Sequence, residues 1–145
     1  MDVWNRLVQE CDTESAIDAS RRDRELLGDF NLSFVYGEVN SFSSMRIILE
    51  RVAAIRSIGP SSLFLDLGAG VGKAMLAIAL LSPCTKILGI EYLETLVCKG
   101  NKMIEFSTRE FPDLKLEERL QLIQGDFLAY PWEKEADFVF ANSTW

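Results

Sequence analysis

Hydrophobic positions along this chain follow the helical period in some segments and form short continuous runs in others. Beyond Ser43 or Ser44, either of which could cap a helix, MRIILERVAAIRSIG predicts an amphipathic helix that stops at Gly59. Its apolar face comprises Ile47, Ile48, Val52 and Ile55. The runs SLFLDLG, KILGIE, LQLIQGDF and ADFVFANS predict four buried strands. KAMLAIALLS and YLETLVCKGNKMIEFSTREF, which separate the first three, predict helices.

This order, β-α-β-α-β-β, predicts an α/β fold in which helices wrap a parallel, Rossmann-like sheet. Upstream, ESAIDASRRDRELLG predicts a helix ending at Gly28, and DFNLSFVYGEVN predicts an ordered loop. We therefore divide one domain into an N-terminal helical segment with a loop, residues 1–42, and a sheet core, residues 43–145. Sheets of this type normally have two or three further strands, so the fold is predicted to be incomplete after strand four.

Composition narrows the possible functions. The chain has 145 residues and a net charge of −7, which disfavours nucleic acid as the main partner. Its longest apolar run is too short to span a bilayer, and it contains no histidine, so imidazole-based catalysis is excluded. Cys11, Cys84 and Cys98 lack the spacing of a zinc site and are predicted to be buried thiols in a reducing compartment, nuclear or cytoplasmic. No metal site is predicted.

The segment LFLDLGAGVGKAM places an acid and three glycines between the first strand and the next helix. Asp66, Gly68, Gly70 and Gly72 therefore lie where ligands bind in open parallel sheets. The spacing G-x-G-x-G does not match the dinucleotide fingerprint, because Lys73 stands where its last glycine would be. It does not match the phosphate-binding P-loop either, because Ala74 follows Lys73 where the P-loop has a serine or threonine. The remaining candidate ligand is S-adenosyl-L-methionine.

The motif resembles motif I of class I methyltransferases. The resemblance implies that Asp66 lies near the amino acid moiety of the cofactor. Glu91 ends the next strand, where a carboxylate can accept hydrogen bonds from both ribose hydroxyls. Asp126 and Phe127 follow strand three, and the resemblance implies that they recognise the adenine amino group and stack on its ring. Taken singly, each acid could instead cap a helix or face solvent in a turn.

With these motifs placed, the chain resembles the non-SET protein lysine methyltransferases of the Dot type. FVYGEV, LFLDLGAGVGKAMLAIA, LGIEYLE, GDFL followed by Trp132, and DFVFANS carry this resemblance over residues 34–143. It implies that a lid loop with Tyr36, Gly37 and Glu38 folds over the methionine end of the cofactor. It also implies that Asn142 lines the channel for the target lysine, and Tyr36 and Asn142 are the candidate catalytic residues.

The chain departs from the family pattern in three places. Val39 replaces a threonine, Lys73 replaces a glutamine, and the carboxyl-terminal third is missing. The expected function is a protein lysine methyltransferase of the histone type, with a protein substrate and no membrane partner. Alternatives are a methyltransferase for a small molecule and a truncated, non-catalytic module for cofactor binding or interaction. In that last case an open sheet edge could support a homo-oligomer.

Overall fold

Among the residues that the structure describes, four parallel strands form the centre of the domain. A computed structural model describes residues 3–10, 12–28, 36–37, 39, 41–131 and 136–142. The strands lie in the order β3-β2-β1-β4, and every neighbouring pair is parallel. Their bounds are β1 Leu63–Leu67, β2 Lys86–Glu91, β3 Leu120–Gln124 and β4 Phe138–Ala141. The predicted α/β fold is therefore confirmed, with each strand inside the apolar run that predicted it.

Helices pack around this sheet at the places that the hydrophobic pattern indicates. Their bounds are α1 Val3–Gln9, α2 Thr13–Leu26, α3 Phe42–Ile55, α4 Lys73–Leu81, α5 Glu94–Glu110 and α6 Leu116–Arg119. The short helix α6 and the 3₁₀ turn Pro112–Leu114 before it lie between α5 and β3, where the hydrophobic pattern predicted no element. Within the described residues, no helix combines the length and the apolar composition that crossing a bilayer needs.

The register of the sheet brings the carboxyl ends of its strands to one edge. Leu67 at the end of β1 is level with Ile90 on one side and Ala141 on the other. Glu91 in turn is level with Gln124 at the end of β3. Because parallel strands all end at the same edge, the turns that follow β1, β2 and β3 lie side by side.

The core lies between the sheet and the helices. α4 is buried along nearly its whole length, as its continuous apolar sequence predicts. α5 buries one stripe at helical spacing that includes Leu96, Met103 and Ile104. Trp4 and Leu7 of α1 belong to the same buried cluster, so the N-terminal helices pack on the core.

The prediction for α3 was wrong at both ends and in its buried face. The helix ends at Ile55 and not at Gly59, because the backbone becomes extended at Arg56. The N-cap is Ser41, whose hydroxyl accepts a hydrogen bond from the Ser44 N–H at 3.1 Å, so the helix begins at Phe42. Phe42 packs against the Trp4 ring, with centroids 5.2 Å apart, and Met45 and Leu49 are buried. The expected core face instead points outward, because this packing sets the rotation of the helix: Ile47, Ile48 and Ile55 are exposed, and Val52 is only half-buried.

The cysteine prediction was also wrong at one position. Cys84 is fully buried and its thiol lies 2.9 Å from the Ser62 carbonyl. Cys98, however, is exposed, because it lies on the face of α5 opposite the buried stripe. Cys11 lies outside the described residues. The exposed thiol is therefore open to modification and the buried one is not.

Candidate cofactor site

The glycine turn after β1 leaves its backbone uncovered by side chains of its own. Gly68, Gly70 and Gly72 all have positive φ angles, of 71°, 57° and 82°, which glycine adopts without strain. A Cβ on Gly70 would lie 2.6 Å from the Cε2 atom of Tyr36. The ring of Tyr36 therefore rests directly on the main chain of the turn, in the space that any other residue at position 70 would fill.

The carboxylate of Glu91 holds this turn in place. One of its oxygens accepts a hydrogen bond from the Gly70 N–H at 2.8 Å, and the other accepts one from the Leu93 N–H at 2.9 Å. Glu91 is 8% exposed. Since each carboxylate oxygen has two lone pairs, one remains on each for a further donor. The residue thus supports the turn and can still accept two hydroxyl hydrogen bonds.

Asp66 is the one residue of the site whose polar atom is buried without a partner. It is 2% exposed, and its Oδ2 atom has no hydrogen-bond partner among the described residues. Burial, together with the negative charge of Glu91, raises the pKa of the Asp66 carboxyl from 3.8 to about 7. A buried acceptor of this kind favours a ligand that brings a positively charged donor.

A small cavity of about 20 Å³, with room for about one water molecule, lies between the glycine turn and β4. Asp66 and Gly68 line it together with Tyr36, Gly37 and Asn142. The structure thus brings both candidate catalytic residues next to the glycine turn. Asn142 itself is exposed, and Glu38 lies outside the described residues.

Lys73 is a member of this site that was not among the predicted site residues. It lines the same cavity, is 2% exposed, and donates a hydrogen bond to the Thr13 hydroxyl at 2.9 Å. The contact links the start of α4 to the start of α2. The lysine in place of the family's glutamine is the signal in the sequence that could have drawn attention to this position. Its partner Thr13 lies 60 residues away in the chain and could not be predicted from the sequence.

A second and larger cavity, of about 470 Å³, lies at the ends of β2 and β3. Tyr92, Gly125 and Asp126 line it, and so do Leu26 and Leu27 at the end of α2. Asp126 is exposed, and its Oδ1 atom accepts a hydrogen bond from the Leu128 N–H at 2.9 Å. Phe127 is half-buried beside it but is not among the residues that line either cavity. The α2 residues were missed because nothing in their local sequence connects them to strand ends about 65 to 100 residues away.

These observations fit S-adenosyl-L-methionine. Its amino group could pair with the partnerless oxygen of Asp66, its ribose hydroxyls with the free lone pairs of Glu91, and its adenine with the larger cavity. A family model described as "Histone methylation protein DOT1" matches residues 27–144. The chain belongs to the DOT1 family. The resemblance predicted from the sequence is confirmed, and S-adenosyl-L-methionine is the cofactor of this family.

The DOT1-family chain has relatives of known sequence and structure. It is 29% identical over 116 residues to a histone-lysine N-methyltransferase of Caenorhabditis elegans that is specific for lysine 79 of histone H3. The match covers 77% of this chain but 12% of that relative. The chain thus spans about one eighth of the length of the curated relative that it matches.

Two solved structures are also similar to this DOT1-family chain. One is a candidate S-adenosyl-L-methionine-dependent methyltransferase of Methanococcus maripaludis, with 25% identity, a TM-score of 0.48, and coverage of 69% of this chain and 42% of that one. The other is TYW2 of P. horikoshii in complex with MeSAdo, with 26% identity, a TM-score of 0.47, and coverage of 63% of this chain and 32% of that one.

Proposed function

We propose that this chain binds S-adenosyl-L-methionine at the carboxyl edge of its sheet and methylates a lysine side chain of a protein. One observation carries the proposal: Asp66, Glu91 and Asp126 lie at the ends of three adjacent strands, beside a turn whose three glycines all have positive φ. Three acids placed there by independent strands match the three polar parts of the cofactor. A structural role for each acid separately would not require this common edge.

In this proposal the acids hold the parts of the cofactor already matched to them. Gly68 leaves open space against the main chain, and Gly70 would do so once the Tyr36 ring moves. A Cβ at Gly72 would instead point into the core toward Met75, so this glycine serves the turn and not the ligand. The cofactor supplies a methyl group on a positively charged sulfur, which is already activated for displacement. The work of the protein is therefore to orient the two reactants and to exclude water.

The acceptor side of the site would be formed by Tyr36 and Asn142. A target lysine must be neutral to attack, and an apolar environment favours its neutral form by desolvating the ammonium. Tyr36 and Phe140, both half-buried beside the cavity, would provide that environment, and Asn142 could orient the amine. The cavity is too small for the methionine end of the cofactor while the Tyr36 ring rests on Gly70, so we expect this ring to move when the cofactor binds.

A histone is the first substrate to test. The relative from C. elegans is a histone-lysine methyltransferase, and the net charge of −7 of this chain would attract a basic substrate protein. Such a substrate would place the chain in the nucleus. A homo-oligomer through β4 stays a prediction, since within the described residues β4 pairs with β1 alone.

Mass spectrometry of core histones incubated with the chain and S-adenosyl-L-methionine tests this function. We expect methylated lysine with the wild-type chain and none with Gly70→Leu, because the leucine would fill the turn. Binding of the cofactor without methylation of any histone would contradict the histone assignment. Parallel incubations with metabolite pools and with non-histone proteins then separate the small-molecule alternative from a non-catalytic binding module.

A further inference from the structure

The larger cavity is formed by two parts of the chain that are far apart in sequence. Tyr92, Gly125 and Asp126 come from the ends of β2 and β3, and Leu26 and Leu27 are the last residue of α2 and its C-cap. Its volume of about 470 Å³ falls in the range of about 300–1,000 Å³ that is typical of small-molecule sites. The N-terminal helix α2 is therefore part of this site as well as part of the fold.

α2 is fixed on the core by polar contacts at both ends. At its last turns, one carboxylate oxygen of Asp23 accepts a hydrogen bond from the Thr95 N–H at 3.2 Å, and the other accepts one from the Thr95 hydroxyl at 2.8 Å. α5 begins at Glu94, and the residue before it, Leu93, provides no side-chain cap. Asp23, a residue of α2, thus caps the N-terminus of α5. Its negative charge also interacts favourably with the positive end of the α5 dipole.

The first turn of α2 makes two further contacts of this kind. Thr13 accepts a hydrogen bond from Lys73 at 2.9 Å, and Ser15 accepts one from Lys99 at 2.7 Å. With both ends of α2 held, the position of its last turn beside the strand ends is defined by the fold. Leu26 and Leu27 are therefore placed at the cavity by specific contacts.

The lining of the cavity is mixed, and its large apolar and aromatic side chains are unusually exposed. Leu26 is 87% exposed, Leu27 57% and Tyr92 58%. Large apolar side chains that remain exposed around a concave site often mark a ligand-binding surface. Asp126 adds a carboxylate acceptor beside them. An apolar wall next to an acceptor fits a flat ring that carries an exocyclic amino group, which is the chemistry of adenine.

We propose that Leu26 and Leu27 form an apolar wall of the adenine compartment, and that Asp23 is the positioning residue that holds them there. The inference rests on the proposed function, because it assumes that the cofactor binds at this edge. It goes beyond that function, since the family match begins at residue 27 and leaves α2, with Asp23 and Leu26, outside it. Docking of α2 would then be required for full affinity toward the cofactor and toward adenosine.

Isothermal titration with S-adenosyl-L-methionine and with adenosine tests the wall. The variant is Leu26→Ser with Leu27→Ser, and the matched control is Ile55→Ser with Ile47→Ser on α3, whose side chains are 90% and 55% exposed. We expect the leucine variant to bind both ligands about tenfold more weakly, because apolar contact area with the base is lost. The control should stay within about twofold of the wild-type chain.

A second variant tests the role of Asp23. Asp23→Ala should weaken binding of adenosine, and combining it with the leucine substitutions should add much less than the two separate effects, because both act on the same wall. Asp23 itself also lines the cavity, so full additivity would show that it acts on the ligand independently of the leucines and would overturn the positioning role.

The outcomes separate the two proposals. If the wild-type chain binds the cofactor and the leucine variant binds equally well, the wall is refuted and the proposed function stands. If the wild-type chain binds neither the cofactor nor adenosine, the proposed function and the wall are refuted together.

Discussion

Replacing Asp66 by asparagine should change the stability of this protein in a way that depends strongly on pH. The carboxyl is buried beside Glu91, and its pKa rises from 3.8 to about 7 in the folded chain. Between these two values the unfolded chain gives up the proton while the folded chain keeps it. The contribution of this carboxyl group to stability is therefore fully present below pH 3.8 and is lost as the pH rises toward 7.

The magnitude follows from the shift in pKa. A shift of one pKa unit corresponds to about 1.4 kcal/mol, so the change from 3.8 to about 7 corresponds to about 4 kcal/mol. Asparagine does not ionise and avoids this loss. Its amide group, however, would place a buried N–H donor where the Oδ2 atom of Asp66 has no hydrogen-bond partner, at a cost of about 1–3 kcal/mol at every pH. The variant should thus be less stable than wild type near pH 4 and more stable, by about 1–3 kcal/mol, near pH 8.

Urea unfolding from pH 4 to pH 8, followed by circular dichroism, measures this difference directly. The effects of the other carboxyl groups cancel when the variant is compared with wild type at the same pH. The matched control is Asp18→Asn, which removes an exposed carboxylate from α2 and should change the free energy of unfolding by less than about 0.5 kcal/mol. A difference between Asp66→Asn and wild type that stays constant across this pH range would refute the reasoning.

Two further substitutions test the glycine turn. Gly70→Ala should lower the free energy of unfolding more than Gly68→Ala. Both glycines have positive φ, but only at position 70 would the new Cβ meet the Tyr36 ring. Equal losses of about 1 kcal/mol in thermal unfolding would contradict this contact. Glu91→Gln should destabilise the chain by about 1–3 kcal/mol and weaken cofactor binding, because an amide offers one acceptor oxygen where the turn uses two. Unchanged unfolding in urea would show that these hydrogen bonds do not support the turn.

Local patterns in the sequence were sufficient to predict the sheet and the strand-end acids. Short apolar runs located all four strands, and the parallel arrangement followed from their alternation with helices. Because parallel strands end at a common edge, Asp66, Glu91 and Asp126 could be expected there without knowledge of any contact. The fold and the cofactor half of the site therefore depend on information that is local in the sequence.

What could not be predicted depends on contacts between distant segments. The rotation of α3 is set by the packing of Phe42 on Trp4, so its apparent apolar face, with Ile47 and Ile55, turned out to be exposed. The hydrophobic period of a segment shows that it is a helix. When the helix carries two apolar stripes, the period does not show which of them is buried. The link between Lys73 and Thr13 likewise joins residues 60 positions apart, and no local signal indicates it.

Isothermal titration of the purified chain with S-adenosyl-L-methionine and, separately, with NAD is the most direct test of the central claim. The account predicts micromolar binding of S-adenosyl-L-methionine and no binding of NAD, because the glycine turn lacks the dinucleotide spacing and three strand-end acids suit the methyl donor. Circular dichroism of the same sample establishes that it is folded. Absence of heat with S-adenosyl-L-methionine from a folded sample, or tighter binding of NAD, would contradict the account.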